Sequence, residues 1–217
     1  MTPPTSPGGL ASALAAGDPS LRLRAALEAG SRADPGLLDA LIDRCAVEPD
    51  FYVRDMLTWA LTRLPHPAVL DRLRLELGST RPQARSQALH TLSKIGDART
   101  WEWITPELLG DDDDEVARSA WRAAVVLVPS GSRESVAGQL IGQLGRGGRD
   151  LQLSLSRTLI SLGEAIVPLL DAAVTQRDAV AATHARATMA LMDEPELGFD
   201  AAIHEARRVA ALGPQAG

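Results

Sequence analysis

Residues 110–121, GDDDDEVARSAW, set four aspartates and a glutamate side by side ahead of an apolar run. Clustered carboxylates are the oxygen donors that calcium and magnesium require. A calcium loop, however, alternates its ligands around a central glycine and ends on a glutamate. Here the aspartates are consecutive, so they diverge, and Gly110 precedes them. The stretch suits a helix start better. Carboxylates there offset unsatisfied N–H groups and a partial positive charge, each contributing about 0.3–1 kcal/mol. Asp112 and Glu115 have capping-box spacing, and Asp114 stands four residues before Arg118. The run is expected to be a turn, and no metal site is assigned.

Other residues could carry chemistry. His66, His90, His184 and His204 are far apart, with no partner at helical spacing, so a zinc site would have to be assembled from distant segments. No serine lies in a G-x-S-x-G elbow. LGRGGRD (144–150) is glycine-rich, but no strand precedes it and no Lys-Ser/Thr follows, so it reads as a loop and not a phosphate cradle. Tryptophan is plentiful for a chain with 3% aromatics: Trp59, Trp101, Trp103 and Trp121. Exposed tryptophan offers much contact area at little entropic cost. Trp121 falls on an apolar stripe beside the positions of Leu57 and Ala88 and is expected to pack. Trp59 is off that stripe and four residues from Asp55, while Trp101 and Trp103 are two apart and cannot share a helix face.

Composition narrows the classes. The chain has 217 residues, 45% of them apolar and rich in Ala and Leu, which suits packed helices better than sheets. Its net charge is −6 with signs mixed along the length, unlike the concentrated basic face that duplex nucleic acid needs. Of 22 basic residues only Lys94 is lysine. Cys45 is the single cysteine, so neither an intrachain disulfide nor a cysteine-rich zinc site can form. The start of the chain lacks the features of a secretion signal and no run is long enough to span a membrane, so a cytoplasmic address is expected.

The elements that must position these residues repeat. Segments beginning at 18, 50, 81, 114, 148 and 178 share one pattern, so the spacings are 32, 31, 33, 34 and 30 residues. Along these segments apolar residues recur at the third, seventh, eleventh and fourteenth positions, as in Val53, Leu57, Leu61 and Leu64 or Ala84, Ala88, Leu92 and Ile95. That is one stripe of an α-helix. A second helical segment precedes most of them: 35–45, 67–77, 100–109, 135–144 and 165–174, with Gly, Pro and Asp between. Helical hairpins this short cannot bury an apolar stripe alone and must stack. Residues 195–213 read as a closing helix.

The repeated DPSLR, DFYVR, RPQAR and DEVAR, giving Arg22, Arg54, Arg85 and Arg118, resemble the signature of HEAT-repeat proteins, particularly the short bacterial repeats of the phycobilisome-lyase type. Units five and six depart from it, with Gln152 and Ala182 at the arginine position. The resemblance covers roughly residues 10–212. It implies that these arginines stitch one repeat to the next by hydrogen bonds with acidic turn residues. A second resemblance is to helical-repeat segments attached to bacterial transcription regulators of the mercury-resistance type, although no winged-helix domain is recognisable here. A third is to helical-repeat DNA glycosylases for alkylated bases, whose aromatic and acidic side chains the Asp55–Trp59 pair imitates. The net charge speaks against that activity.

The expectation is therefore an all-α, right-handed α-α superhelix of about six helical hairpins with a C-terminal capping helix. Residues 1–9 and 213–217 are expected to be tails around a single domain over 10–212. The second helices should line a concave face with Asp55, Thr58, Trp59, Thr62, Ser86, His90, Ser93, Ser119 and Arg122. The expected role is non-catalytic binding of another protein or a peptide, without cofactor or metal, and with nucleic acid and membrane not among the partners. The competing readings are an enzyme or enzyme subunit of the bilin-lyase or glycosylase kind, or an accessory module of a bacterial transcription regulator.

Overall fold

The helices run α1 (Pro7–Leu14), α2 (Pro19–Arg32), α3 (Leu38–Cys45), α4 (Phe51–Arg63), α5 (His66–Glu76), α6 (Pro82–Ile95) and α7 (Pro106–Leu109). They continue as α8 (Asp114–Leu127), α9 (Arg133–Ile141), α10 (Arg149–Ser161), α11 (Val167–Val174), α12 (Ala179–Asp193) and α13 (Phe199–Leu212). This computed structural model describes residues 7–212, and among them there is no strand. The fold is an all-α repeat. Residues 1–6 and 213–217, part of the expected tails, lie outside the described residues. Pro7–Gly9, expected to be tail, instead open α1, whose Leu10 and Leu14 are buried. Proline at a first helical position suits this, since its missing N–H has no partner there.

The even-numbered helices up to α12 are the six repeating segments, and each packs against the odd-numbered helix before it. Among the described residues these make six hairpins, with α13 closing on α12. Phe199, Ala202 and Ala206 of α13 form a core cluster with Ala187 and Leu191 of α12. The chain divides into two compact units, Met1–Trp103 and Ile104–Gly217. In the first unit α2, α4 and α6 pack side by side; in the second, α8, α10 and α12 do.

Residues 100–109 are not the single helix expected. Thr100 to Trp103 belong to a 3₁₀ turn, Ala98–Trp103, and α7 starts afresh at Pro106. Thr105 caps α7 by accepting from the Leu108 N–H, and Pro106 takes the first helical position. Proline has no N–H to continue an incoming helix, so the chain must restart.

Aspartates head four of the even helices. Asp18, Asp50, Asp113 and Asp178 hold extended backbone and accept from the first free N–H groups of α2, α4, α8 and α12. Asp113, and not Asp112, is thus the cap in the aspartate run, accepting from Glu115 and Val116 at 3.0 and 3.1 Å. That shifts the fourth repeat by one residue. Its fully buried stripe is Val116, Ala120, Ala124 and Leu127, so Trp121 shares its column with Thr58 and Leu89, not with Leu57 and Ala88. Trp121 is completely buried, and its indole N–H donates to the Leu109 carbonyl at 2.8 Å, locking α8 to α7.

Candidate functional site

Counting from each cap places equivalent residues of the even helices in columns. The fourth residue after the cap is Arg22, Arg54, Arg85, Ala117, Gln152 and Ala182. Arg22 donates to the Ala16 and Gly17 carbonyls, Arg54 to those of Glu48 and Pro49, and Arg85 to that of Ser79. Gln152 does the same work with the Gly145 and Gly147 carbonyls at 3.2 and 3.1 Å. The column therefore clasps the turn before its own helix, mostly through backbone carbonyls. At Arg22 the stitch to an acidic turn residue of the next repeat is in place. Its guanidinium forks onto Glu48 with two contacts of 2.7 Å.

Glu48 is the centre of this end of the first unit. Fully buried, it also accepts from Arg44 at 2.7 Å and from the Asp50 N–H at 2.9 Å. Burial works to raise its carboxyl, but the bonds from Arg22, Asp50 N–H and Arg44 outweigh burial and hold it down at about 2. Gln83 of α6 bridges back to the Cys45 and Glu48 carbonyls at 2.9 and 2.7 Å. Sequence reasoning singles out neither Glu48 nor Gln83. Glu48 stands two residues before a helix-capping aspartate, and that is the only local signal it offers.

Of the proposed binding residues, Asp55, Trp59 and Arg122 are exposed, whereas Thr62, His90, Ser93 and Ser119 are half-buried. Thr58 and Ser86 are not surface residues. Thr58 sits in the Trp121 column, and Ser86 is buried on α6 in the column of Asp55. Period counting places Thr58 beside Trp59, but it turns towards the packed side of α4. The Thr62 and Ser93 hydroxyls donate to the carbonyls of Trp59 and His90 within their own helices.

The ninth residue after the cap is exposed at Leu27 and Trp59 in the first unit and at Arg122 and Arg157 in the second; it is half-buried at His90 and fully buried at Ala187, in the core cluster with α13. Trp59 keeps 36% exposure although its ring lies on Gly30 of α2. A Cβ at Gly30 would overlap the Trp59 ring at Cζ3 and sit 3.0 Å from Ala60 Cα. Glycine in a helix interior normally costs about 1 kcal/mol relative to alanine. Gly30→Ala should nevertheless destabilise the first unit by about 1–2 kcal/mol, because overpacking against the α4 backbone exceeds the helical gain. Urea denaturation measures it, and a variant more stable than wild type would contradict the close approach.

Sequence reasoning also missed Phe51 and Tyr52, 66% and 72% exposed at the start of α4. Their rings meet edge to face at 5.7 Å, and Arg54 lies over Phe51 at 6.0 Å. A usable signal was present: the corresponding first-turn pairs elsewhere are Pro19-Ser20, Pro82-Gln83, Asp114-Glu115, Arg149-Asp150 and Ala179-Val180. With Asp55 and Trp59 they make an aromatic stripe with one carboxylate along α4. Trp101 and Trp103 are both half-buried in the 3₁₀ turn, with Arg74 over Trp103 at 5.2 Å.

The remaining candidates for chemistry are used by the fold. Asp114 pairs with Arg146, not Arg118, and Arg118 pairs with Glu115. Among the described residues no group of three His, Cys, Asp or Glu is placed to hold a metal ion. The glycine-rich turn is fastened by His184, whose Nδ1 accepts from the Gly145 N–H at 3.0 Å. Burial pushes His184 down to about 4. Burial, then Glu48, pushes the Cys45 thiol up to about 12, so it is a poor source of thiolate. Two depressions of about 320 and 510 Å³ lie on α12 and α13 and share Ala190, Asp193 and Glu205. None of the residues proposed for binding lines either one.

Two solved structures are similar in outline. One is the complex of CpcE and CpcF of phycocyanin lyase from Nostoc sp. PCC7120, with 16% identity and a TM-score of 0.49, covering 95% of this chain and 88% of that one. The other is an engineered protein at 17% identity and a TM-score of 0.47, covering 89% of this chain and 100% of that one. At these values they carry no argument about partner or chemistry. No curated protein matches the sequence. Residues 38–125 match the family model described as HEAT repeats, a span that holds Glu48, the α4 stripe and most of α8. Over that span the chain is similar to HEAT repeats, and helical hairpins lie on either side of it.

Proposed function

We propose that this chain is a non-catalytic module that binds a protein or peptide along the exposed face of its even helices, in the cytoplasm. The observation that carries this reading is Trp59, a large side chain held in place by Gly30 yet open to solvent beside Phe51, Tyr52 and Asp55. A tryptophan positioned before the partner arrives loses little entropy on contact, and such anchors dominate interfaces. The carboxyls of Glu48, Asp97, Glu107, Asp200 and Glu205 are all held below their ordinary values, the wrong direction for a general acid. The lowering comes chiefly from bonds that already occupy the carboxylates.

The test is a random-peptide display selection on the wild-type chain, followed by titration of the selected peptides. Trp59→Ala should weaken them about thirtyfold, the range of an interface hot spot, and Asp55→Ala less. Circular dichroism confirms that the variants are folded. Peptides that bind Trp59→Ala as tightly as wild type would remove Trp59 as the anchor, and a selection that enriches nothing would argue against the binding reading.

A further inference from the structure

The ninth position after the cap changes character in the second unit. Arg122 of α8 and Arg157 of α10 hold it on two helices that pack together, and Arg118 lies one turn before Arg122 on the same face of α8. We infer that Arg118, Arg122 and Arg157 form a binding site for the carboxylates of an acidic peptide segment.

Three features support it. First, the clasp position in this repeat is Ala117, so Arg118 falls one residue beyond it and does not bind the preceding turn as Arg22, Arg54 and Arg85 do. Its Nη1 lies 3.3 Å from Glu115, while its Nε is buried without a hydrogen-bond partner. Second, among the described residues Arg122 and Arg157 have neither an ion pair nor a hydrogen bond. Third, the guanidiniums feel one another. Burial lowers the proton affinity of Arg122 most, Arg118 and Arg157 lower it further, and Glu115 alone works against them. Three like charges beside a single carboxylate are relieved by a further anion.

The occupant follows from the charge around the site. The chain carries −6 overall, so a long polyanion is repelled beyond the three arginines, whereas a short acidic segment is attracted only where they stand. This inference deepens the binding-module reading and rests on it for the class of partner.

Fluorescence anisotropy with a labelled Glu- and Leu-containing peptide tests it on the full chain. Wild type should bind, more weakly as salt rises, and the same peptide with Gln for Glu should not bind. Arg122→Gln and Arg157→Gln should each weaken binding about tenfold, with melting temperatures unchanged or raised because repulsion is relieved. Trp59→Ala should retain most of the affinity for this probe, so loss of the arginine effect and loss of the Trp59 anchor are separable outcomes. Equal affinities for wild type and both arginine variants, or no binding by wild type, would overturn the site. Tighter binding of a single-stranded oligonucleotide of equal charge, lost in the same variants, would overturn the assignment to an acidic peptide.

Discussion

Glu48→Gln should cost the first unit about 3–5 kcal/mol at neutral pH, the range for breaking a buried ion pair from one side. The substitution keeps the size of the side chain and removes only its charge. Arg22, 5% exposed, is then left with two carbonyls and no counter-ion. Arg44 and the Asp50 N–H lose their acceptor oxygens in charged form. Urea denaturation followed by circular dichroism measures the change. A loss of 1 kcal/mol or less, roughly what an exposed pair contributes, would mean that the network is solvated in solution. Replacing both partners, Arg22→Met with Glu48→Leu, should recover part of the loss, because two apolar groups need no desolvated charge to be compensated.

The same carboxylate sets an acid limit. Its folded value is about 2, below the ordinary 4.5, so the unfolded chain binds the proton first as pH falls. The stabilisation is therefore complete above pH 4.5 and is lost as pH drops through that value to about 2. Glu48→Gln should lack this part of the acid limb. Asp97 is also held at about 2 by Arg99, but that pair is at the surface and adds little to the same window.

What could be read from the sequence depended on whether the cause was local. The helical hairpins and the closing helix after residue 195 follow from spacing along the chain, whereas Trp121 is buried as expected but in the column next to the one assigned to it. The fourth repeat slipped by one because four consecutive aspartates offer several caps, and only backbone geometry selects Asp113. That slip put Ser119 and Arg118 in the wrong columns and hid the alignment of Arg122 with Trp59. Thr58 was misplaced for another reason. A helix sandwiched between two others buries a wider arc than one stripe, so a residue adjacent to the stripe is buried too. The seat of Trp59 on Gly30 and the forks of Arg22 on Glu48 join residues a whole repeat apart. No periodicity reports such pairs.

The second unit should weaken at a milder acidity, and His184 is the cause. It is 1% exposed on α12, and the Gly145 N–H can only donate, so Nδ1 is unprotonated and the hydrogen of the neutral ring is on Nε2. From there the bonds run in one direction. Nε2–H donates towards the Gln152 carbonyl and Ser156 Oγ, at 3.0 and 2.9 Å. Thr188 uses its hydrogen on the His184 carbonyl, so Ser156 donates to Thr188 at 2.8 Å. Phe199 of α13 meets the ring edge to face at 5.8 Å. A second proton would have to enter at Nδ1, where it would face the Gly145 N–H and break the tie to a turn whose Gly145 and Gly147 have φ of 85° and 63°. Burial, opposed only in part by the Gln152 carbonyl, holds the ring at about 4 in the fold against an ordinary 6.5. The unfolded chain takes the proton first, so stability is full above pH 6.5 and is lost as pH falls from there to about 4. Between pH 7.5 and pH 5 wild type should lose about 2 kcal/mol, because each step of one pH inside that window removes about 1.4 kcal/mol. His184→Gln should be weaker at pH 7.5 and should show no such slope, since it removes the titrating group along with its bonds. If wild type is equally stable at both pH values, the imidazole accepts its second proton inside the fold, and the Gly145 contact cannot be what holds the glycine-rich turn.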